Sequence, residues 1–199
     1  DKFLKEKQRG DVPLKEFMTA SSYRGYMGKY QILEYCSIKL LKKTIQSGAR
    51  FMYMDIFNDT LDEFASPVIS SGIERGNWKL TFNTETFEDV CKTIKNTAFN
   101  SGHVDNPDDP FFLALNLKTK KNIVCLNKIK KLLYKYFRRE LLGPEFSYMR
   151  GDIPNTPMKK FMKKIVIFCS GGAEGSSFEE LINYSWDNEE NNFRKIGYK

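Results

Sequence analysis

The chain has 199 residues, is 41% hydrophobic and 14% aromatic, and carries a formal net charge of +7. That is enough apolar material for one substantial core and too much for a disordered chain. No run reaches the roughly 18 apolar residues that span a bilayer, and no signal-peptide pattern opens the sequence. The first residue, Asp1, points to processing or to a longer parent chain. Cys36, Cys91, Cys125 and Cys169 lie far apart in apolar contexts with no CxxC or Cys/His cluster. They read as buried, reduced thiols of an intracellular protein rather than the bridges of a secreted one. The positive charge suits an anionic partner without choosing among lipid, nucleic acid and acidic protein.

Residues 1–14 are polar and read as an arm or linker; residues 15–199 read as one domain. The apolar run Phe17 to Ala20 predicts a first strand over 15–20 that opens into the polar stretch Ser21-Ser22-Tyr23-Arg24-Gly25-Tyr26. Leu33, Cys36, Leu40, Leu41, Thr44 and Ile45 follow at spacings of three and four, which predicts an amphipathic helix stopped by Gly48. Arg50 to Phe57 reads as a buried strand with Asp55 near its end, and Ser66 to Gly72 as a short strand. Thr86 caps a helix with the apolar stripe Phe87, Val90, Cys91, Ile94 and Ala98.

A turn-rich loop over 100–109 contains His103, the only histidine, and leads to the strand Phe111 to Leu115. Asn122 to Phe137 forms a helix with Leu126, Ile129, Leu133 and Tyr136 on one side. Ile165 to Cys169 is a further strand; a glycine-rich loop and a capping box at Ser176 to Glu180 then predict a helix. Phe193 to Tyr198 closes the chain as a candidate last strand. Near-continuous apolar strands separated by helices predict a parallel sheet covered by helices. A closed (β/α)8 barrel takes about 250 residues, so a barrel built on this chain is incomplete or distorted.

Chemistry in such folds sits at strand C-termini. His103 precedes a strand and falls on the opposite side. The loop at Ser170 to Ser177 lacks the GxxxxGK[ST] pattern and a lysine, so it reads as a loop and cap rather than a phosphate cradle. Lys118, Lys120, Lys121, Lys128, Lys130, Lys131, Lys135, Arg138 and Arg139 form a run without an acid, joined by Lys159, Lys160, Lys163 and Lys164. This is either a solvated face or an anionic docking surface.

Three blocks carry a family resemblance. Ser21 to Tyr26 resembles Ser-Ser-His-Asn-Thr-Tyr, Gly48 to Asp55 resembles Gly-Cys-Arg-Cys-Ile-Glu-Leu-Asp, and Pro67 to Gly72 resembles Pro-Ile-Ile-Tyr-His-Gly. These are blocks of the X region of phosphoinositide-specific phospholipase C. Pro110 to Asn116, Lys164 to Phe168 and Phe178 to Tyr184 extend the match in order, and in style the short X-like proteins of large DNA viruses are the nearer comparison. The resemblance implies the α/β class and a TIM-type barrel.

The departures from the family are concentrated at its active site. Tyr23 and Ser71 stand where the resemblance implies two catalytic histidines. Arg24, Tyr53, Asp55 and Asn116 stand where it implies the calcium ligands Asn, Glu, Asp and Glu, and Phe168 and Ser170 replace the phosphate-gripping lysines. A general base near neutral pH is a histidine's task, not that of an unassisted serine or tyrosine. Calcium takes six to eight oxygens, usually several carboxylates. Arg24 is expected to pair with Asp55.

We therefore expect no catalytic residues, no metal and no cofactor, calcium being expected only if the family activity were retained. The leading expectation is a non-catalytic barrel serving as a structural or interaction module of an intracellular or virion-associated assembly, docking through its basic surface. Protein partners come first, an anionic membrane next and nucleic acid last, with no small-molecule substrate. The alternatives are altered phosphodiester chemistry through Tyr23, Arg24, Asp55 and Ser71, and phosphoinositide or anionic-membrane binding without catalysis.

Overall fold

The computed structural model describes residues 10–30 and 33–186. In chain order the strands and helices are β1 (Ser21–Tyr23), α1 (Ile38–Gln46), β2 (Phe51–Asn58), β3 (Pro67–Ser70), β4 (Gly72–Ile73), β5 (Trp78–Lys79), β6 (Glu85–Thr86), α2 (Phe87–Thr97), β7 (Phe111–Lys118), α3 (Ile123–Phe137), β8 (Ile165–Ser170) and β9 (Tyr184–Ser185). Each helix starts on a side-chain cap. Ser37 accepts from Leu40 N, Thr86 from Asp89 N and Asn122 from Cys125 N, each such cap contributing about 1 kcal/mol.

Five strands run parallel in the order β1-β2-β7-β8-β9. The three helices supply the crossovers between β1 and β2, β6 and β7, and β7 and β8. The sheet is open among the described residues, ending at β9 on one side. This is the α/β architecture expected, one arc of parallel strands with helices outside.

The strand alternation sets what faces where. Met52, Met54 and Ile56 of β2, Leu113, Leu115 and Leu117 of β7, and Ile167 and Cys169 of β8 pack with α1, α2 and α3 into one large core. The alternate residues line the other, concave face. Phe112, Val166 and Phe161 form a smaller apolar cluster at its base, flanked by Phe51 and Phe168. Buried side chains on both faces explain why these strands read as continuous apolar runs.

Several expectations need correction. The first strand is Ser21–Tyr23, not residues 15–20: Leu14–Glu16 is a 3-10 turn and Met18 is fully exposed. Pairing begins only where the Ala20 carbonyl accepts from Arg50 N and Phe51 N. β3 is antiparallel to β2, with Asp55 opposite Ser70 and Asn58 opposite Pro67; an eight-residue loop between them is too short for a crossover helix. β1 and β3 thus share one edge of β2, β1 along Phe51 to Tyr53 and β3 along Asp55 to Asn58. Ser177–Leu181 is a 3-10 turn rather than a capped α-helix, because the Ser176 hydroxyl donates back to the Ala173 carbonyl. In α3 the fully buried stripe ends on Phe137, and Tyr136 is only half-buried. The candidate strand Phe193 to Tyr198 lies outside the described residues.

Residues 10–14 pair with the segment 154–159: Leu14 N donates to Thr156 O, and Met158 N to Val12 O. Cys36, Cys91, Cys125 and Cys169 are all buried free thiols. Among the described residues no helix is long and apolar enough to cross a membrane.

Candidate functional site

The concave face is built in register. Tyr23 sits beside Tyr53, and Tyr53 beside Ala114, Phe168 and Tyr184 in turn. One step toward the strand C-termini, Asp55, Asn116 and Ser170 align. One step further, Phe57 aligns with Lys118. An aromatic tier therefore lies beneath a polar tier, with a lysine above it.

Asp55 is the centre of the polar tier and has no solvent exposure. Arg24 Nη2 donates to its Oδ2 at 2.5 Å. Lys118 Nζ lies 3.3 Å from the same oxygen and also donates to the Gly72 carbonyl at 2.7 Å. Asn116 Nδ2 donates to Asp55 Oδ1 at 2.7 Å, and the Ser170 hydroxyl holds the other end of that amide by donating to Asn116 Oδ1 at 3.0 Å. Both carboxylate oxygens are thus occupied by donors of the protein itself. One carboxylate meets two cations, so the cluster carries a surplus positive charge.

The backbone is shaped to bring these groups together. Arg24 adopts a left-handed φ of 49° and its N–H donates to Tyr53 O, which turns its side chain back over β2. Gly72 has a φ of 156°, and a Cβ there would come within 2.0 Å of the Trp78 carbonyl oxygen; only glycine fits this approach. Tyr26 is buried, donates to Ser70 O at 2.7 Å and accepts from Asp55 N at 3.2 Å. It ties β2 to β3 where β1 ends.

The aromatic tier packs against this cluster. Tyr23 stacks on Tyr53 with centroids 4.8 Å apart, and the Arg24 guanidinium lies 4.8 Å from the Tyr23 centroid. Trp186 stacks on the far side of Tyr53 at 6.4 Å and meets Phe168 at 5.8 Å. Burial first, then the Asp55 carboxylate, pushes the Tyr53 phenol up to about 12. The same two causes hold Tyr26 well above its ordinary value. Both are neutral hydroxyls at physiological pH, without the basicity that activating a substrate hydroxyl requires. Ser71 is buried at the end of β3, next to the residue opposite Asp55. The structure thus brings Arg24, Tyr53, Asp55 and Asn116 together, with Tyr23 stacked on Tyr53.

Calcium, which the resemblance implies, does not fit this constellation. Among the described residues there is no group of three or more His, Cys, Asp or Glu side chains able to hold a metal. The one carboxylate at the site is met by a guanidinium and an ammonium, and bringing an ion with two positive charges there requires displacing both. His103 is exposed in the loop before β7, near Gln46 of α1.

The basic run divides. Lys118 belongs to the site rather than to the surface. Lys128 caps the loop before β3, donating to Ala65 O and Ser66 Oγ and contacting Phe64 O. Lys130 pairs with Glu180, Lys135 with Glu88 and Lys121 with Glu174. Lys120 is anchored through its backbone N–H to Glu74. For Lys131, Arg138 and Arg139, all exposed, no acidic partner is found among the described residues. The run is acid-free in sequence because its acids come from α2 and from residues 174–180. Lys118 was missed as a site residue for a related reason: it opens a lysine-rich stretch that reads as solvated. Its period-two relation to Asn116 was the available signal.

The family model for the phosphatidylinositol-specific phospholipase C X domain matches residues 11–170. Among solved structures, PLC21 of L. pealei superposes with a TM-score of 0.70 at 17% identity, covering 88% of this chain and 24% of that one. The phosphatidylinositol-specific phospholipase C of Listeria monocytogenes gives 0.55 at 15% identity, covering 80% and 53%. The calcium-dependent phosphoinositol-specific phospholipase C of a Pseudomonas species gives 0.53 at 13%, covering 94% and 70%. The chain therefore spans about a quarter of the PLC21 structure, and at these identities the structures speak for the TIM-type fold alone. No curated protein matches the sequence. With the X-domain match running over residues 11–170, from before β1 through the end of β8, the chain belongs to the phosphatidylinositol-specific phospholipase C X-domain family.

Proposed function

We propose that this X domain acts without catalysis, as a structural or interaction module that docks through its basic surface onto an acidic protein partner in a larger assembly. The observation that carries the reading is the closed ion cluster at Asp55. Arg24, Lys118 and Asn116 occupy the carboxylate, while Tyr23 and Ser71 stand where the resemblance puts the two histidines. Catalytic groups of this kind act as a unit, so replacing both histidines and most metal ligands removes the reaction rather than slowing it.

The docking half of the reading rests on charge. The net charge of +7 leaves Lys131, Arg138 and Arg139 on and just beyond α3 as exposed cations, in a region where the neighbouring lysines are already paired. An acidic face would find them there with little desolvation cost.

Two measurements test the proposal. Purified protein incubated with phosphatidylinositol vesicles and calcium is expected to release no inositol phosphate above a no-protein control. Release that requires calcium and disappears in Asp55→Ala would overturn the non-catalytic reading. Charge reversal of Lys131, Arg138 and Arg139 together is expected to abolish salt-sensitive capture of an acidic partner without lowering the melting temperature. Salt-sensitive cosedimentation with anionic but not neutral liposomes would instead assign the surface to a membrane.

A further inference from the structure

The outer face of α3 carries charges of opposite sign at its two ends. At the N-terminal end the loop 59–66 lies alongside the helix. Asn122 Nδ2 donates to Asp62 O at 3.2 Å, and Lys128 Nζ donates to Ala65 O and Ser66 Oγ. Asp62 and Glu63 thereby share one cavity wall with Ile123 and Val124. Both acids are exposed, and for neither is a cationic partner found among the described residues. The loop also holds Asp59 and contains no basic residue. Lys121 pairs with Glu174, so with Lys120 and Lys128 counted this end keeps one net negative charge.

The other end is the reverse. Lys135 is held by Glu88, while Lys131, Arg138 and Arg139 are exposed cations without an acidic partner among the described residues. Val124, Lys131, Tyr134 and Arg138 recur at helical spacing and are all exposed, so they share the outward stripe. Leu61, Phe64, Ile123, Val124 and Tyr134 are exposed apolar side chains on or beside this stripe, more than solvation of a plain charged helix calls for.

We propose that a second copy of this chain covers this face, the two α3 helices packing antiparallel about a two-fold axis. The inference rests on the reading of Lys131, Arg138 and Arg139 as a docking surface, and it names the acidic partner. Antiparallel packing sets the acidic end of each helix against the basic end of the other, so a single isologous contact satisfies both charge sets twice. Val124 then lies opposite Tyr134 of the second copy and Asn127 opposite its Lys131, which keeps Lys131 away from its own equivalent. Parallel packing would press Arg138 and Arg139 against themselves. A lipid surface or a nucleic acid, anionic throughout, would match the basic end and repel Asp62 and Glu63.

Sedimentation equilibrium of the full chain tests this, with two charge-reversed variants. Asp62→Lys with Glu63→Lys gives a chain with two basic ends. Lys131→Glu with Arg138→Glu and Arg139→Glu gives one with two acidic ends. All five side chains are exposed, so both variants should fold, which their melting temperatures check. The wild type is expected to show a monomer–dimer equilibrium that weakens about tenfold between roughly 50 mM and 500 mM salt. Each variant alone should dimerise about a hundredfold more weakly. An equimolar mixture of the two should dimerise as the wild type does, because each end again meets its opposite. A wild type that stays monomeric at about 0.2 mM in low salt, a dimer that neither variant weakens, or a mixture that does not recover would each overturn the proposal. If the wild type is monomeric, loss of acidic-protein capture in the triple variant would still uphold the basic docking surface with a different protein on it. Tighter binding of anionic liposomes by the double variant than by the wild type would instead give the face to a membrane.

Discussion

A carboxylate with no solvent exposure has to be compensated where it sits, and Asp55 is compensated by Arg24, Lys118 and Asn116 at 2.5, 3.3 and 2.7 Å. Removing one side of a buried pair leaves the other charge stranded. Asp55→Ala is therefore expected to cost about 3–5 kcal/mol of stability, read as a fall in the denaturation midpoint; a loss under about 1 kcal/mol would mean that the cations are solvated rather than held. The tyrosines of the site give a second, independent check. The Tyr53 phenol is raised to about 12 by burial and by Asp55, against an ordinary value of 10.0. Its folded-state pKa lies above its unfolded one, so its contribution is complete below pH 10 and is lost as pH rises toward 12. Tyrosinate absorbance should show the Tyr53 fraction appearing only near pH 12 or together with unfolding, and Tyr53→Phe should remove that component. The Arg24–Asp55 pair was legible in the sequence because an arginine and a lone aspartate fell at two aligned family positions. The role of Lys118 was not, since nothing local distinguishes it from Lys120 and Lys121; only the alternation of β7 puts it on the same face as Asn116.

Among the elements, the long ones were legible and the short ones were not. α2 and α3 carry side-chain caps and clear apolar stripes, and β2, β7 and β8 carry long apolar runs, so local pattern and tertiary burial agree. β1 is three residues of Ser-Ser-Tyr, held by pairing to β2 rather than by its own hydrophobicity. The apolar residues before it remain outside the core. The antiparallel course of β3 is set by the short loop 59–66, capped by Lys128, which an apolar-run reading does not weigh. The cysteines test the packing of the legible elements. Cys91 lies on the inner face of α2 and Cys125 on that of α3. Burial raises both thiols, Cys125 to about 12, and Cys36 to about 11. The protein should react with a thiol-specific disulfide reagent at pH 8 only at the rate of unfolding. Rapid modification of any one thiol in native buffer would show that its element opens locally.

At the scale of the whole molecule, an arc of five parallel strands presents a concave face. Its aromatic tier and neutralised carboxylate occupy the place where the resemblance puts a metal and two histidines. The architecture was readable because family blocks recur in order along the chain. What those blocks became was readable only in part, because the meeting of Arg24 and Lys118 at Asp55 depends on strand register. The same register makes the central claim measurable through global stability. If Arg24 and Lys118 do the electrostatic work of an ion, the melting temperature in about 1 mM calcium should equal that in excess chelator to within about 1 °C. An ion bound a hundredfold below that concentration would add about 2.7 kcal/mol, or several degrees for a domain of this size. A calcium-dependent rise of that order, absent from Asp55→Ala, would contradict the account.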